Sequence, residues 1–224
     1  MRADQRPGGI HATENRSVVV FTAARDDPDS RRGGQALCNF AVRAREKKHR
    51  HDRHGQSEFN VHFSRTGIDP GIVDPHLTAT GREQVRQAAE AIQRAGRPIA
   101  RVLTSPYTRA LQTAEIVADL LKVPVDVEPL VREHAKFQCD VGTCRSALSQ
   151  SWPALKFDHL EETWWPALDE TEADVFRRAR SFRERAAAWG DWREVAVVSH
   201  WGFLLRLTGR SLANAEHLPF DPTV

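Results

Sequence analysis

Four residues of this 224-residue chain, two arginines and two histidines, are candidates for binding and transferring a phosphoryl group. A phosphomonoester carries about two negative charges, which repel a nucleophile unless cations surround the non-bridging oxygens. Arg53 and Arg109 suit this task, because a guanidinium stays charged and grips two oxygens at once. A neutral imidazole on His54 can attack phosphorus and form a covalent phosphohistidine. His200, as a second imidazole, can donate to an oxygen on which charge builds.

The leaving alcohol needs a proton, and the water that hydrolyses the phosphohistidine must lose one. Glu133 can serve in both steps. The adjacent His134 and the nearby Asp140 are alternatives, because the pattern around the acid does not fix its position. This chemistry predicts no cofactor and no metal ion.

Beyond the first fifty or so residues, helical and strand-like segments alternate, which predicts an α/β layer fold. Thr80 to Glu83 has the spacing of a capping box that begins an amphipathic helix. Ala100 to Thr104 predicts a strand, and Ser105-Pro106 begins a second helix. Arg109 therefore falls in the first turn of a helix that directly follows a strand.

A third helix is predicted over Glu172 to Trp189, and four apolar residues form its inward face: Val175, Phe176, Ala179 and Phe182. The strand Glu194 to Ser199 follows and places His200 at its carboxyl end. Val123 to Val127 predicts another strand, at an edge of the sheet because it contains Pro124. Ligands in open α/β sheets bind at the carboxyl ends of strands, so Arg109 and His200 are both expected at the site.

Three motifs, in this order along the chain, resemble the signatures of the histidine phosphatase superfamily, also called the phosphoglycerate mutase-like family. They are Arg53-His54-Gly55-Gln56-Ser57-Glu58-Phe59-Asn60, Ser105-Pro106-Tyr107-Thr108-Arg109-Ala110-Leu111-Gln112-Thr113-Ala114 and Val198-Ser199-His200-Trp201-Gly202. Leu130 to His134 resembles the segment that supplies the acidic residue of the family. The resemblance covers about residues 53–218.

The resemblance implies a three-layer α/β sandwich in which helices flank a mostly parallel sheet, with a small cap region over about residues 134–170. It implies that Asn60 contacts the phosphate and that Thr66 and Gly67 contact the substrate through a loop. In the cap region, Arg145, Lys156, His159 and the tryptophans are predicted to select the leaving group.

The implied activity is metal-independent hydrolysis of a phosphomonoester, with a small phosphorylated metabolite as substrate. A mutase, which passes the phosphoryl group to a second hydroxyl, is the alternative. The short segment between Arg109 and Glu133 favours the hydrolase.

The N-terminal region departs from the family, in which an apolar strand directly precedes the nucleophile. Arg45 to Asp52 is charged or imidazole-bearing and cannot form a strand buried on both faces. Ser17 to Phe21 or Cys38 to Val42 could supply the strand, or the N-terminus is not native. We therefore predict a poorly structured extension over residues 1–48, the phosphatase domain over 49–218 and a tail over 219–224.

Two other functions fit parts of the same region. His49-Arg50-His51-Asp52-Arg53-His54 resembles a zinc-ligand run of the form His-x-His-x-Asp-His, but Arg53 stands at the aspartate position, where a cation opposes metal binding. Alternatively, the basic residues between 43 and 53 form an arm for nucleic acid or other polyanions on a catalytically silent or weakened domain. Because such charge runs are more often solvated, nucleic acid is not the expected partner.

Composition sets the remaining bounds. The 32 basic residues nearly balance the 30 acidic ones, so net charge indicates no particular partner. Three cysteines match neither a disulfide framework nor a four-ligand zinc site, which favours a reducing cytoplasm. The sequence has no apolar run long enough to cross a bilayer. It leaves the oligomeric state open, with a homodimer as one option.

Overall fold

The protein is an α/β structure in a computed structural model that describes the backbone of residues 18–22 and the whole of residues 55–224. The helices in this part are α1 (Glu58–Thr66), α2 (Ala79–Arg94), α3 (Thr108–Leu121), α4 (Arg145–Ser151), α5 (Glu172–Ala187) and α6 (Trp201–Thr208). The strands are β1 (Val18–Thr22), β2 (Arg101–Thr104), β3 (Val125–Val127), β4 (Val195–Ser199) and β5 (His217–Phe220). None of these helices combines the length and the apolar composition that a membrane crossing requires.

The strands form one sheet in the order β3-β2-β4-β1-β5. The first four in this order run parallel to one another, and β5 pairs antiparallel with β1. The mostly parallel sheet predicted from the sequence is therefore confirmed. β4 lies in the middle and is buried along its whole length, which explains its nearly continuous apolar sequence.

Helices cover both faces of the sheet. Successive residues of a strand point to opposite sides, so β4 packs against both helix layers. Val195 and Val197 of β4 pack into a cluster with apolar side chains of α5 and α6. Ala196 and Val198 pack on the other face with side chains of α2 and α3. The predicted three-layer arrangement is thus present.

Of the two apolar segments that could supply the first strand, the structure uses the earlier one. Val18–Thr22 lies between β4 and β5, and Thr22 pairs with Ser199 at the carboxyl end of β4. The prediction of a poorly structured extension over residues 1–48 is therefore wrong for these five residues. The other segment, 38–42, lies outside the described residues.

Of three predicted boundaries, the start of α3 agrees with the structure, and the start of α2 and the end of the domain differ from it. α2 begins earlier than predicted, since its cap is Thr78, whose Oγ1 accepts from the backbone N–H of Gly81 at 3.0 Å. The capping box predicted to begin at Thr80 is wrong. α3 begins at Thr108, which confirms that Arg109 lies in its first turn. β5 continues to Phe220, so the domain end predicted at residue 218 falls inside a strand.

The buried face of α5 differs from the predicted one. Val175, Ala179 and Phe182 are buried as predicted, but Phe176 is 54% exposed, and its predicted inward position is wrong. Arg178 lies on the buried face instead. A cation therefore points from the middle of this helix into the protein.

Candidate active site

The turn between β2 and α3 is fixed by a carboxylate from a distant loop. Tyr107, the residue before α3, provides no side-chain cap. Asp74 caps the helix instead, with Oδ1 accepting from the N–H of Thr108 at 2.9 Å and Oδ2 from its hydroxyl at 2.7 Å. A carboxylate in this position satisfies a free N–H and complements the helix dipole. Asp74, which the sequence did not single out, thus holds the turn that presents Arg109.

Arg109 is 3% exposed, and its guanidinium contacts the start of the cap region. Nη1 donates to the carbonyl of Cys139 at 2.8 Å, and Nη2 donates to Oδ1 of Asp140 at 3.3 Å. The ring of Tyr107 lies 4.5 Å from the guanidinium carbon. Burial alone lowers the pKa of Arg109, but the neighbouring Cys139 and Asp140 outweigh it and the pKa is raised. The site therefore keeps a permanent cation near the carboxyl end of β2.

His200 directly follows β4, as the sequence predicts, and is fully buried. Its Nε2 lies 2.8 Å from Oγ of Ser105, the residue that follows β2. The ring of Tyr107 stands nearly perpendicular to the imidazole, with centroids 5.2 Å apart. Tyr107 therefore contacts both Arg109 and His200, and the structure brings these two predicted residues together.

Glu133 is buried at the amino end of α6, the helix that His200 precedes. Its Oε1 accepts from the backbone N–H of His134 at 2.8 Å and of Phe203 at 3.2 Å. A Cβ on Gly202 would approach the same oxygen to 2.6 Å, so only glycine leaves room for the carboxylate. The third predicted side chain thus contacts the first turn of the helix that follows His200.

The two alternative acids have other positions. Nε2 of His134 lies 2.8 Å from the carbonyl of Glu170, and burial lowers the pKa of His134. Asp140 pairs with Arg109 and also accepts from the backbone N–H groups of Lys136 and Phe137, each at 3.0 Å.

The segment that carries Glu133 is held by Arg178 of α5. Nη1 of Arg178 donates to the carbonyls of Leu130 and Arg132 at 2.8 and 2.7 Å, and Nη2 donates to the carbonyl of Glu133 at 3.2 Å. The same guanidinium forms an ion pair with Glu170 at 3.0 Å. Burial, followed by the nearby charge of Arg132, lowers the pKa of Arg178 to about 10.

Sequence reasoning missed Arg178, although a signal was present. Arg178 is three residues after Val175 and four before Phe182, so it falls within the apolar stripe of the helix. A charge in such a stripe needs a buried partner, because an unpaired buried charge is strongly unfavourable. The sequence did not show that this partner would be the backbone around Glu133.

Of the first motif, Arg53 and His54 lie outside the described residues, and the description begins at Gly55. Gly55 has φ of 70°, a conformation that favours glycine. Asn60 is buried in α1, with Oδ1 accepting from the N–H of Ser57 at 2.9 Å and from its hydroxyl at 2.6 Å. The other end of this amide, Nδ2, has no hydrogen-bond partner among the described residues.

Thr66 and Gly67 are exposed at the end of α1. The hydroxyl of Thr66 donates to the carbonyl of His62 at 3.0 Å, and Gly67 ends the helix in the left-handed conformation. The loop that follows is tied to the cap region, since Asp69 Oδ2 accepts from the N–H of Gln138 at 2.8 Å. The loop after Thr66 and Gly67 thus reaches Gln138, the neighbour of the Cys139 carbonyl that Arg109 contacts. Among the contacts described for residues 55–224, neither Thr66 nor Gly67 touches Arg109 itself.

Apolar residues of the cap region form a cluster with side chains of α3 and β3, separate from the two clusters that flank the sheet. The buried members are Tyr107, Leu111, Val127, Leu148, Phe157, Leu160 and Trp164. Arg145 pairs with Glu162, and His159 lies 2.9 Å from the carbonyl of Val127. Two of the side chains predicted to select the leaving group therefore have partners within or beneath the cap region, and their predicted role stays untested.

Comparison with known proteins gives this arrangement a family context. Residues 52–223 match the model of the histidine phosphatase superfamily (branch 1). An uncharacterised protein of Mycobacterium tuberculosis is 33% identical over 167 residues, which cover 71% of this chain and 78% of that protein. A glucosyl-3-phosphoglycerate phosphatase of Mycolicibacterium vanbaalenii is 30% identical over 177 residues, covering 75% of this chain and 74% of that protein.

Among solved structures, one described as a mycobacterial hydrolase is similar, with a TM-score of 0.50 and 25% identity. The match covers 74% of this chain and 86% of that one. The family model spans all the predicted site residues, but it starts well after β1.

Proposed function

The chain belongs to the histidine phosphatase superfamily, and from this premise we propose that it hydrolyses phosphomonoesters through a covalent phosphohistidine on His54. The observation that carries the proposal is the grouping of Arg109, Glu133 and His200, three buried ionisable side chains near the carboxyl ends of β2 and β4. Burying ionisable groups costs free energy, and phosphate chemistry uses all three of these side chains.

The reaction has two steps. In the first, the neutral imidazole of His54 attacks phosphorus, the P–O bond to the alcohol breaks, and the alcohol oxygen takes a proton from Glu133. Arg53 and Arg109 offset the charge on the phosphoryl oxygens, and His200 donates a hydrogen bond to one of them. In the second, water attacks the phosphohistidine, gives a proton to the Glu133 carboxylate and releases inorganic phosphate as the P–N bond breaks.

Asn60 supports the same proposal. Its Oδ1 is held by Ser57, while Nδ2 is buried and has no partner within residues 55–224. A buried donor without a partner costs free energy, and a bound phosphate oxygen would remove this cost. We therefore propose that Asn60 contacts the phosphate, as the resemblance implies.

The substrate we propose is a small phosphorylated metabolite. The relative from Mycolicibacterium vanbaalenii is named for glucosyl-3-phosphoglycerate, which is a phosphomonoester of this size class. We also propose a location in the reducing cytoplasm, because the three cysteines show no disulfide pattern. A homodimer is a further proposal, which size-exclusion chromatography with light scattering would test.

The decisive experiment traps the intermediate. The full chain is incubated with a labelled phosphomonoester in excess chelator and quenched, and the label on the protein is tested for acid lability and base stability. We expect a phosphoprotein with the wild type, none with His54→Ala, and wild-type labelling with His62→Ala, which changes an exposed histidine on α1.

The same reaction separates the alternatives. Label that passes to an added alcohol rather than to water would indicate a mutase. Turnover that chelator abolishes would indicate a zinc hydrolase. Equal labelling of the wild type and His54→Ala, or no labelling of either, would overturn the proposed mechanism.

A further inference from the structure

Ser105 and His200 form a buried pair whose spacing is set by the sheet. Ser105 follows β2 and His200 follows β4, and these strands are parallel neighbours. The N–H of Ser105 also donates to the carbonyl of Val198 at 3.1 Å. Both side chains are fully buried, with the Ser105 hydroxyl oxygen 2.8 Å from His200 Nε2. The two groups are thus held at this distance by strand pairing rather than by a flexible loop.

Tyr107 restrains the same pair. Its ring lies edge-on to the imidazole at an angle of 87°, and its hydroxyl donates to the carbonyl of Asp140 at 2.6 Å. Its backbone N–H donates to the Ser105 hydroxyl oxygen at 3.4 Å. The aromatic contact limits the tilt of the imidazole, but it does not distinguish one ring nitrogen from the other. The Ser105 hydroxyl does, because it lies at Nε2.

The hydroxyl can hold the neutral imidazole in one tautomer. It has one donor and two acceptor sites, and the Tyr107 N–H uses one acceptor site. Among the contacts described for residues 55–224, His200 Nε2 is the acceptor within reach of the O–H. An O–H that donates to Nε2 leaves the ring hydrogen on Nδ1, where it can be donated to a phosphoryl oxygen.

We propose that Ser105 is a positioning residue whose hydroxyl fixes the orientation and the tautomer of the His200 imidazole. The inference rests on the proposed function, because that function brings His200 into contact with the phosphoryl group. Ser105 acts through His200 and exchanges no proton with the substrate.

A double-mutant cycle on kcat tests this role. Ser105→Ala should lower kcat about ten- to a hundredfold, the range expected when a buried polar group is left without its hydrogen-bond partner. In a His200→Ala background the same change should lower kcat by less than about threefold. Ser199→Ala is the matched control, since this serine is equally buried but its hydroxyl donates to the carbonyl of Val131 at 2.7 Å. Its effect should be the same in both backgrounds.

A spectroscopic measurement makes the test independent of turnover. Nitrogen-15 NMR of the imidazole rings, with the His200 signals assigned by their loss in His200→Ala, reports which ring nitrogen carries the hydrogen. We expect one dominant tautomer in the wild type and a mixture, or the other tautomer, in Ser105→Ala. Unchanged His200 signals in Ser105→Ala, or an equal loss of kcat in both backgrounds, would overturn the inference. Failure of the wild type to form a phosphoprotein would instead refute the proposed function, and the NMR comparison would still decide the role of Ser105.

Discussion

Replacement of Arg178 by methionine should weaken both the fold and the reaction. The change keeps much of the aliphatic volume but removes the donors to the carbonyls of Leu130, Arg132 and Glu133 and one of the two cations that pair with Glu170. Breaking a buried ion pair costs about 3–5 kcal/mol, mainly because the remaining charge stays buried. Arg132 still pairs with Glu170 at 2.9 Å, so we expect the lower end, about 3 kcal/mol of unfolding free energy.

For a domain of this size, 1 kcal/mol corresponds to about 2–4 °C in Tm, so Arg178→Met should lower Tm by about 6–12 °C. Activity should fall as well, because the carbonyl of Glu133 loses its anchor and the carboxylate is less well placed. We expect kcat to fall about tenfold or more, as a fraction of the 10²–10⁴ that a positioned acid contributes. KM should change less, since Arg109 is untouched.

Urea unfolding followed by tryptophan fluorescence, together with steady-state kinetics below the Tm of each variant, measures both effects. Arg180→Met is the control on the same helix, because Arg180 and its partner Glu184 are 73% and 70% exposed and 4.0 Å apart. We expect it to change stability by no more than about 0.5 kcal/mol. Arg178→Lys should lie between, since lysine restores the charge but not the forked contacts. If Arg178→Met and Arg180→Met lose the same stability and activity, the proposed support of Glu133 is wrong.

Three further changes test other parts of the fold. Gly202→Ala should cost about 1–3 kcal/mol and also lower kcat, because the new Cβ would press on Glu133 Oε1; unchanged kcat in a folded variant would contradict the described position of that carboxylate. Asp74→Ala should cost about 1–3 kcal/mol through loss of the α3 cap, and a Tm equal to that of the wild type would argue against the contacts with Thr108. Val20→Pro should cost at least about 1–3 kcal/mol, because β1 pairs on both sides and a ladder N–H is lost; a wild-type Tm would show that this strand is dispensable.

The parts of the site that the sequence predicted depend on local signals. Periodicity and cap residues locate α3 and β4, and a residue just after a strand or in the first turn of a helix has little freedom in its position. Arg109 and His200 were placed correctly for this reason. Parallel strands end at the same edge of a sheet, so two local predictions also gave a long-range one.

The parts that the sequence did not predict depend on partners far along the chain. Asp74 caps a helix 34 residues away, and Arg178 donates to a carbonyl 48 residues before it. The local sequence around each residue does not identify its partner. Phe176 is exposed because the buried stripe of α5 runs through positions 175, 178, 179, 182 and 186, which leaves position 176 on the solvent side.

The first strand is also paired with elements that lie far along the chain. β1 ends at Thr22 beside Ser199, and the described chain resumes at Gly55 after the 32 residues from 23 to 54. Pairing with β4 on one side and β5 on the other holds β1 in the sheet through two hydrogen-bonded ladders. A strand supplied from a distance is therefore compatible with the sheet.

The chain after the predicted nucleophile is anchored independently of that strand. The carbonyl of Gln56 accepts from the N–H of Thr78 at 2.8 Å, and Ser57 forms a β-bridge with Leu77. Gly81 leaves room for this contact, since a Cβ there would approach the Gln56 carbonyl oxygen to 2.2 Å. These contacts hold Gln56 and Ser57, the second and third residues after His54, to the start of α2 and the loop before it. Variants that loosen this anchor should lower phosphoryl trapping more than variants of equal stability loss in α5 that leave Arg178 unchanged.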